Sequence, residues 1–332
     1  MNTDELESFT AEPMLAVNQR IERALKSDVA LISQMGTYII GAGGKRLRPR
    51  LVLISALAHG YQGDQHTKVA AIIEFIHTAT LLHDDVVDSS VMRRGRDTAN
   101  AVWGNEAAVL VGDFLYSRSF EMMVEVGQMR VMEILSAATN TIAAGEVMQL
   151  LNVGEADITE QRYMDVIKAK TAKLFEASAQ LGAVLANTDA VQEKAMADYG
   201  THLGIAFQLI DDILDYTADS VELGKNAGDD LAEGKPTLPL IYAMQDGDPA
   251  TRDAIVQALV SAADSGDNKP QDVDLELPKI IEMVRASGAI DRTYELAQKQ
   301  VESAVKAIQP LPPSSYKDAL VSIVESSVAR RF

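Results

Sequence analysis

Two short acidic runs share one spacing: Asp84, Asp85 and Asp88 in DDVVD, and Asp211, Asp212 and Asp215 in DDILD. On a helix the first and last carboxylates of each run are i and i+4, so they share one face about one turn apart. Like charges so placed destabilise a helix by a few tenths of a kcal/mol per pair, and a bound cation removes the repulsion. Carboxylates with room for water and phosphate oxygens suit Mg²⁺, which dehydrates reluctantly and binds through one or two carboxylates plus substrate phosphates. Two such helices face to face would clamp one diphosphate through bridging ions. A lone copy in a chain of formal net charge −18 reads more simply as a solvated helix end. Here both copies sit between apolar flanks, Leu81-Leu82 and Val86-Val87, Leu209-Ile210 and Ile213-Leu214, unlike a surface charge run. An EF-hand is excluded, since neither run continues to the required glycine and distant glutamate.

A chain this acidic repels polyanions, so each basic cluster is informative. Gly43-Gly44-Lys45-Arg46-Leu47-Arg48-Pro49 places three cations within four residues after a glycine turn, suited to phosphate oxygens. It is neither a Walker A loop, because Ile39 and Arg46 stand where glycine and Ser/Thr are needed, nor a GxGxxG turn. Arg93-Arg94-Gly95 follows Asp88 by five residues, within reach of anions held at the first acidic run. His77 lies seven residues before Asp84, about 20° away in helical projection, on the same side; a single histidine is more often a packed core residue. Lys170, Thr171, Lys225 and Lys235 are unremarkable by periodicity. No G-x-S-x-G elbow supports a serine hydrolase.

The elements that must carry these groups are helices. Val69, Ile72, Ile73, Ile76 and Thr80 follow helical spacing, and residues 66–88 are expected to form one helix. Similar stretches run from about 14 to 40, 46 to 59, 105 to 127, 129 to 151, 160 to 186 and 190 to 216, with Asp189 as an N-cap. Strand-type alternation is scarce, and short connections favour antiparallel neighbours in one bundle. Thr217–Thr237, with its glycines, lysines and acids, is expected to be a mobile loop, and Asp264–Pro278 a polar surface connection. The expectation is an all-α fold in a single domain over 1–332, with a loosely ordered N-terminal segment over 1–14 and a C-terminal helical extension over 279–332.

Composition narrows the function classes. Hydrophobic residues make up 47% of the 332 and charged residues 23%, enough for a large core and against disorder. Absence of cysteine excludes disulfides, thiolate metal sites and a cysteine nucleophile. The longest apolar run, Leu51–Ala58, is too short to span a bilayer, and the acidic start is unlike a secretory signal. These features point to a cytoplasmic protein that binds no nucleic acid.

DDVVD, DDILD, GGKRLRP, RRG, GDFL (Gly112–Leu115), Lys170-Thr171 and FQLIDD, in this order, resemble the trans-isoprenyl diphosphate synthases over roughly residues 15–332. Any one motif alone is weak; the ordered set is specific. The resemblance implies an isoprenoid-synthase-type helical bundle around a central cavity, working as a homodimer with Mg²⁺. It implies head-to-tail condensation of isopentenyl diphosphate onto an allylic diphosphate, farnesyl diphosphate being the expected primer, to a long-chain product for quinone side chains. Asp84 and Asp88, with Asp211 opposite, would hold the metal, and Asp85 and Asp215 would add to the set. Lys45, Arg48, His77 and Arg94 would bind isopentenyl diphosphate. Arg93, Lys170, Thr171, Gln208, Lys225 and Lys235 would bind the allylic partner, with Lys170, Thr171 and Gln208 also stabilising the reacting cation. The Thr217–Thr237 segment would be a lid.

In short-chain relatives a bulky aromatic residue just before the first acidic motif blocks the cavity; Ala79 and Thr80 stand there in this chain. Helical arithmetic puts Ala79 about 140° from Asp84, so its role as cavity floor rests on the resemblance, as does that of Met123 deeper in. Four rivals stand beside elongation to a long chain: a short-chain (geranylgeranyl) synthase, a terpene cyclase on the same fold, a noncatalytic partner subunit, and a helical metal-binding scaffold. Cyclases resembling this family usually replace the second DDxxD, noncatalytic partners lose acidic ligands, and a scaffold leaves the basic clusters without a role.

Overall fold

The computed structural model describes residues 3–41, 43–93, 95–217, 228–265 and 271–329. Helices dominate: α1 (Thr3–Phe9), α2 (Ala11–Ala24), α3 (Ala30–Gly41), α4 (Leu47–Ala58), α5 (Gln65–Val87), α6 (Ala99–Trp103), α7 (Asn105–Val126), α8 (Met129–Leu150), α9 (Glu160–Ile167), α10 (Lys173–Leu185) and α11 (Ala190–Thr217). After these come α12 (Asp229–Ala232), α13 (Leu238–Asp246), α14 (Pro249–Ser265), α15 (Gln271–Ala286), α16 (Ala289–Ala307) and α17 (Ser315–Val328). The all-α expectation holds, and the long helices start and stop within a few residues of their sequence-based bounds. Asp189 caps α11 as expected, its Oδ1 accepting from the Gln192 backbone N–H at 2.9 Å. None of the described helices is long and apolar enough to cross a membrane.

α4 and α5 are apolar almost all round, with Leu51–Ile54 and Val69–Ile73 fully buried, because neighbours cover them on every side. α5 packs on α4 and α7, and α10 on α4, α8 and α11. Between α9 and α10 the helix does not stop. It widens into a π-helical turn over Lys168–Ala172, where one extra residue redirects the side chains. Two glycines make room for it. A Cβ on Gly145 of α8 would lie 2.7 Å from the Lys170 backbone N, and one on Gly204 of α11 would lie 2.5 Å from Ala172 Cα. The widened turn is thus wedged between two helix backbones.

Several expectations change. The 14–40 stretch is two helices, α2 and α3, broken around Leu25–Val29. The described part of the N-terminal segment is packed, not loose: Leu6 is buried, Phe9 meets Tyr316 at 5.1 Å between ring centroids, and the Arg50 guanidinium donates to Thr10 Oγ1 and to the Lys45 carbonyl. The C-terminal helices are built into the bundle: Ile308, Leu320 and Ile323 share one core cluster with Leu51, Phe175 and Tyr199. Helix extends to Ser265 and resumes at Gln271, with Pro278 inside α15, so little of Asp264–Pro278 is the open connection expected. Of the Thr217–Thr237 loop, residues 218–227 lie outside the described residues, and the remainder contains α12. A two-stranded hairpin, β1 (Met92–Arg93) and β2 (Arg96–Asp97), pairs Arg93 with Arg96; no alternation in the sequence signalled it.

Candidate active site

α5 and α11 bring the two acidic runs to opposite walls of a polar cavity of about 410 Å³. Asp84 lines it from α5 and Asp88 from the cap just after it, Gln208, Asp211 and Asp212 from α11, Lys170 and Thr171 from the π turn, Arg93 from β1, and Glu233 and Lys235 from the segment after α12. A second cavity of about 1010 Å³ adjoins it, walled by Ile76, Thr80, Tyr116, Thr139, Ile142 and Ala143. Asp84, Asp88, Gln149, Glu233 and Lys235 line both. An anion-and-cation chamber therefore opens directly onto an apolar one.

The polar chamber holds its charges in alternation. Lys170 Nζ lies 2.5 Å from Glu146 Oε2, 2.7 Å from Gln149 Oε1 and 3.8 Å from Asp84 Oδ2. Lys235 Nζ lies 2.8 Å from Asp88 Oδ2 and 2.7 Å from Glu233 Oε2. Burial pulls the Lys235 ammonium down, but the Glu233, Asp88 and Asp230 carboxylates outweigh it and leave it raised. Burial pushes the Asp84 carboxyl up; Lys170 pulls it back and Asp88 pushes it up again. Glu146 is pushed up to about 7, by burial first and then by Asp84, against the pull of Lys170. Carboxylates crowded this way gain from a cation among them. The donor set fits Mg²⁺: the candidate ligands Asp84, Asp88 and Asp211 all offer carboxylate oxygens, donors that hold this ion together with phosphate and water.

The middle and last acids behave otherwise. Asp85 is fully buried, does not line either cavity, and takes the Arg93 guanidinium at 2.8 Å (Nε) and 2.6 Å (Nη2). Asp215 is also fully buried; its Oδ2 accepts from the Asp230 N–H at 3.2 Å and its carbonyl from the Gly228 N–H at 2.8 Å. Neither is among the residues that line the two cavities, although a metal role is expected of both. Asp212, 2% exposed, takes the Tyr163 hydroxyl on Oδ2 and Gln208 Nε2 on Oδ1 at 2.7 Å. Burial holds its carboxyl well above the ordinary range and Asp230 adds to this, while Tyr163 and Gln208 oppose both. Thr171 Oγ1 and Gln208 Oε1 are 2.9 Å apart.

Of the other predicted residues, Arg48 and His77 meet each other at 3.3 Å (Nη1 to Nε2), with the guanidinium over the Phe175 ring at 4.2 Å. They and exposed Lys45, which precedes α4, line neither cavity. Arg94 and Lys225 lie outside the described residues. Thr80 stands on the apolar wall, whereas Ala79 and Met123 are packed in the core, as the 140° projection of Ala79 implied. Sequence reasoning missed Glu146, Gln149, Tyr163 and Glu233. Signals existed: Glu146 and Gln149 are polar i, i+3 neighbours on α8, and Tyr163 is a phenol on an apolar face, which needs a hydrogen-bond partner once buried.

The comparisons with known proteins agree with this geometry. The Polyprenyl synthetase family model matches residues 29–275. Octaprenyl diphosphate synthase of Escherichia coli (strain K12) is 49% identical over 330 residues, 99% of each chain. An all-trans-nonaprenyl-diphosphate synthase (geranyl-diphosphate specific) of Rhodobacter capsulatus is 44% identical, covering 96% of this chain and 95% of that one. The crystal structure of a polyprenyl synthase from Caulobacter crescentus CB15, complexed with calcium and isoprenyl diphosphate, superposes with a TM-score of 0.93 at 42% identity, covering 100% of this chain and 98% of that chain.

Proposed function

The chain belongs to the polyprenyl synthetase family, and within it we propose an all-trans octaprenyl diphosphate synthase that condenses isopentenyl diphosphate, head to tail, onto an allylic diphosphate such as farnesyl diphosphate. One observation carries the reading: the charged chamber and the larger apolar cavity share Asp84, Asp88 and Lys235 on their common wall. A diphosphate bound on the charged side would feed its hydrocarbon tail into the apolar side. The 49% identical octaprenyl relative supports the product length, and the product would serve a quinone side chain.

Asp84 and Asp88, with Asp211 opposite, would hold Mg²⁺ together with diphosphate oxygens, and the metal would supply Lewis-acid neutralisation of the leaving group. Asp85 and Asp215 are left out of that set, since their contacts are to Arg93 and the Asp230 backbone. Lys170, Lys235 and Arg93 bind the departing diphosphate. To do so Lys170 exchanges Glu146, and Lys235 exchanges Glu233, for phosphate oxygen; the exchange costs little because each keeps a nearby acid. Arg94 and Lys225 are assigned with them by resemblance. Thr171 and Gln208 offer oxygens to the allylic carbon as its C–O bond breaks, while Ile76, Ile142 and Ala143 keep water from it. Lys45, Arg48 and His77 hold the second diphosphate, supported by the paired Arg48 and His77. The C1–C4 bond forms as the isopentenyl double bond attacks, and the released pyrophosphate takes the proton lost from C2. We further propose a homodimer, supported by exposed Leu110 and Val124 on α7 and Val147 on α8.

The test is incubation of the protein with Mg²⁺, farnesyl diphosphate and labelled isopentenyl diphosphate, followed by chromatography of the dephosphorylated products. A ladder ending at octaprenol is expected. Cyclic hydrocarbon, no incorporation, or a stop at geranylgeraniol would each replace this reading with one of its rivals.

A further inference from the structure

Tyr163, Asp212, Gln208 and Thr171 form one unbroken hydrogen-bonded chain along the wall of the polar cavity. Its direction follows from what each group can do. An amide NH₂ only donates, so Gln208 gives a proton to Oδ1 of Asp212, a side chain buried at 2% exposure, and the Tyr163 hydroxyl donates to Oδ2. With its NH₂ committed there, Gln208 turns its carbonyl oxygen to Thr171, 2.9 Å away. Thr171 can then only donate. Its single proton is used, and the hydroxyl is left with oxygen lone pairs for the cavity.

We propose that Tyr163 is a positioning residue for prenyl transfer: acting through Asp212 and Gln208, it fixes the polarity of Thr171, so that lone pairs and not a proton face the electron-deficient allylic carbon. This rests on the prenyl-transfer reading above. A hydroxyl turned the other way would present its positive end to a developing cation, and preoriented dipoles matter most in a water-poor site. The site is also built to keep this direction. Tyr163 packs among Ile158, Ile167 and Leu209, and the Gly145 and Gly204 wedge fixes the backbone of Thr171 relative to α11. Without the phenol, Asp212 Oδ2 loses its donor, the carboxylate can turn, and the Gln208 amide is no longer held one way round.

Tyr163→Phe keeps the ring and removes only the hydroxyl. Turnover and KM for each diphosphate would be measured with Mg²⁺, and the ¹⁵N–¹H signals of the Gln208 side-chain amide recorded in the metal-free protein. The expected result is a fall in kcat of about tenfold, the worth of one oriented hydrogen bond, with both KM values within about twofold and shifted amide signals. Combined with Thr171→Val, the losses should not multiply, because Thr171→Val removes the group that Tyr163 orients. Wild-type kcat in Tyr163→Phe, full multiplication of the two losses, or a change confined to KM would each overturn the proposal. If the wild-type protein incorporated no isopentenyl diphosphate, the activity reading would fall and the amide signals would decide the relay: shifted in Tyr163→Phe it stands, unchanged it does not.

Discussion

DDVVD on α5 and DDILD on α11 are nearly the same sequence put to different uses. On α5 the outer pair, Asp84 and Asp88, faces the cavity and the middle Asp85 turns away to Arg93. On α11 the first acid, Asp211, faces the cavity, the middle Asp212 gathers Tyr163 and Gln208, and the last acid, Asp215, is covered by the Gly228–Asp230 backbone. Helical spacing is identical, so the difference comes from what packs on each helix. α5 ends at Val87, and its last acid stays open to the chamber. α11 runs on to Thr217, and the chain returns over it. An acidic motif therefore specifies a face, and its neighbours decide which carboxylates on that face remain available.

That contrast can be broken most severely at the available acids. Asp84→Ala and Asp211→Ala are each expected to lower kcat on the order of a thousandfold or more, the scale of losing charge stabilisation in the transition state, while circular dichroism keeps its helical signal. Asp215→Ala should leave turnover within about threefold of wild type and lower unfolding free energy by about 1–3 kcal/mol, as the partly buried Asp230 N–H loses its acceptor. If Asp215→Ala instead abolished turnover in a folded protein, the assignment of the second motif would fail. Asp85→Ala should cost about 3 kcal/mol in denaturant unfolding, because it strips a partly buried guanidinium of its partner.

A pH series sharpens the comparison from the side of α8. Glu146 has an ordinary value of 4.5 and is raised to about 7 in the fold. An acid raised on folding favours the folded state while both states are protonated, below about pH 4.5, and that advantage is lost as pH rises towards 7. Metal-free wild-type protein should therefore lose about 2 kcal/mol of stability from this group between pH 5 and 8, and Glu146→Gln should lose less, as urea unfolding at the two pH values would show. The smallest effect on folding is expected on the apolar wall. Thr80→Phe should shorten the product with stability nearly unchanged, read by chromatography of the chain ladder. Ala79→Phe should instead overpack the core by about 1–3 kcal/mol, and a shortened product from a fully stable Ala79→Phe would reverse the assignment of the two positions.

Much of the bundle was legible because hydrophobic periodicity reports a helix's own faces, and α5, α7, α8 and α11 are long enough for the pattern to repeat. The acidic pair and the cations Lys170 and Lys235 were reachable through ordered motifs. What stayed hidden depends on contacts between distant segments. Asp85 and Asp84 are adjacent in sequence, and the hairpin that carries Arg93 back to Asp85 is what gives the middle acid its partner. Asp215 looks like Asp211 until Gly228–Asp230 is seen to cover it. The π turn leaves no mark in a run of Ala, Lys and Thr, and the glycines that make room for it lie far off in sequence on α8 and α11.

That turn also sets how α9 can change. Removing one residue from Lys168–Ala172 would restore an ordinary helix and rotate everything before it by about 100° relative to α10. Tyr163 would leave Asp212, and Glu160 would leave the Tyr242 hydroxyl it now accepts at 2.9 Å. Away from Tyr163, single substitutions can be absorbed along this helix, but its length is locked: a lineage can revise the other letters of α9 while a one-residue deletion silences the site.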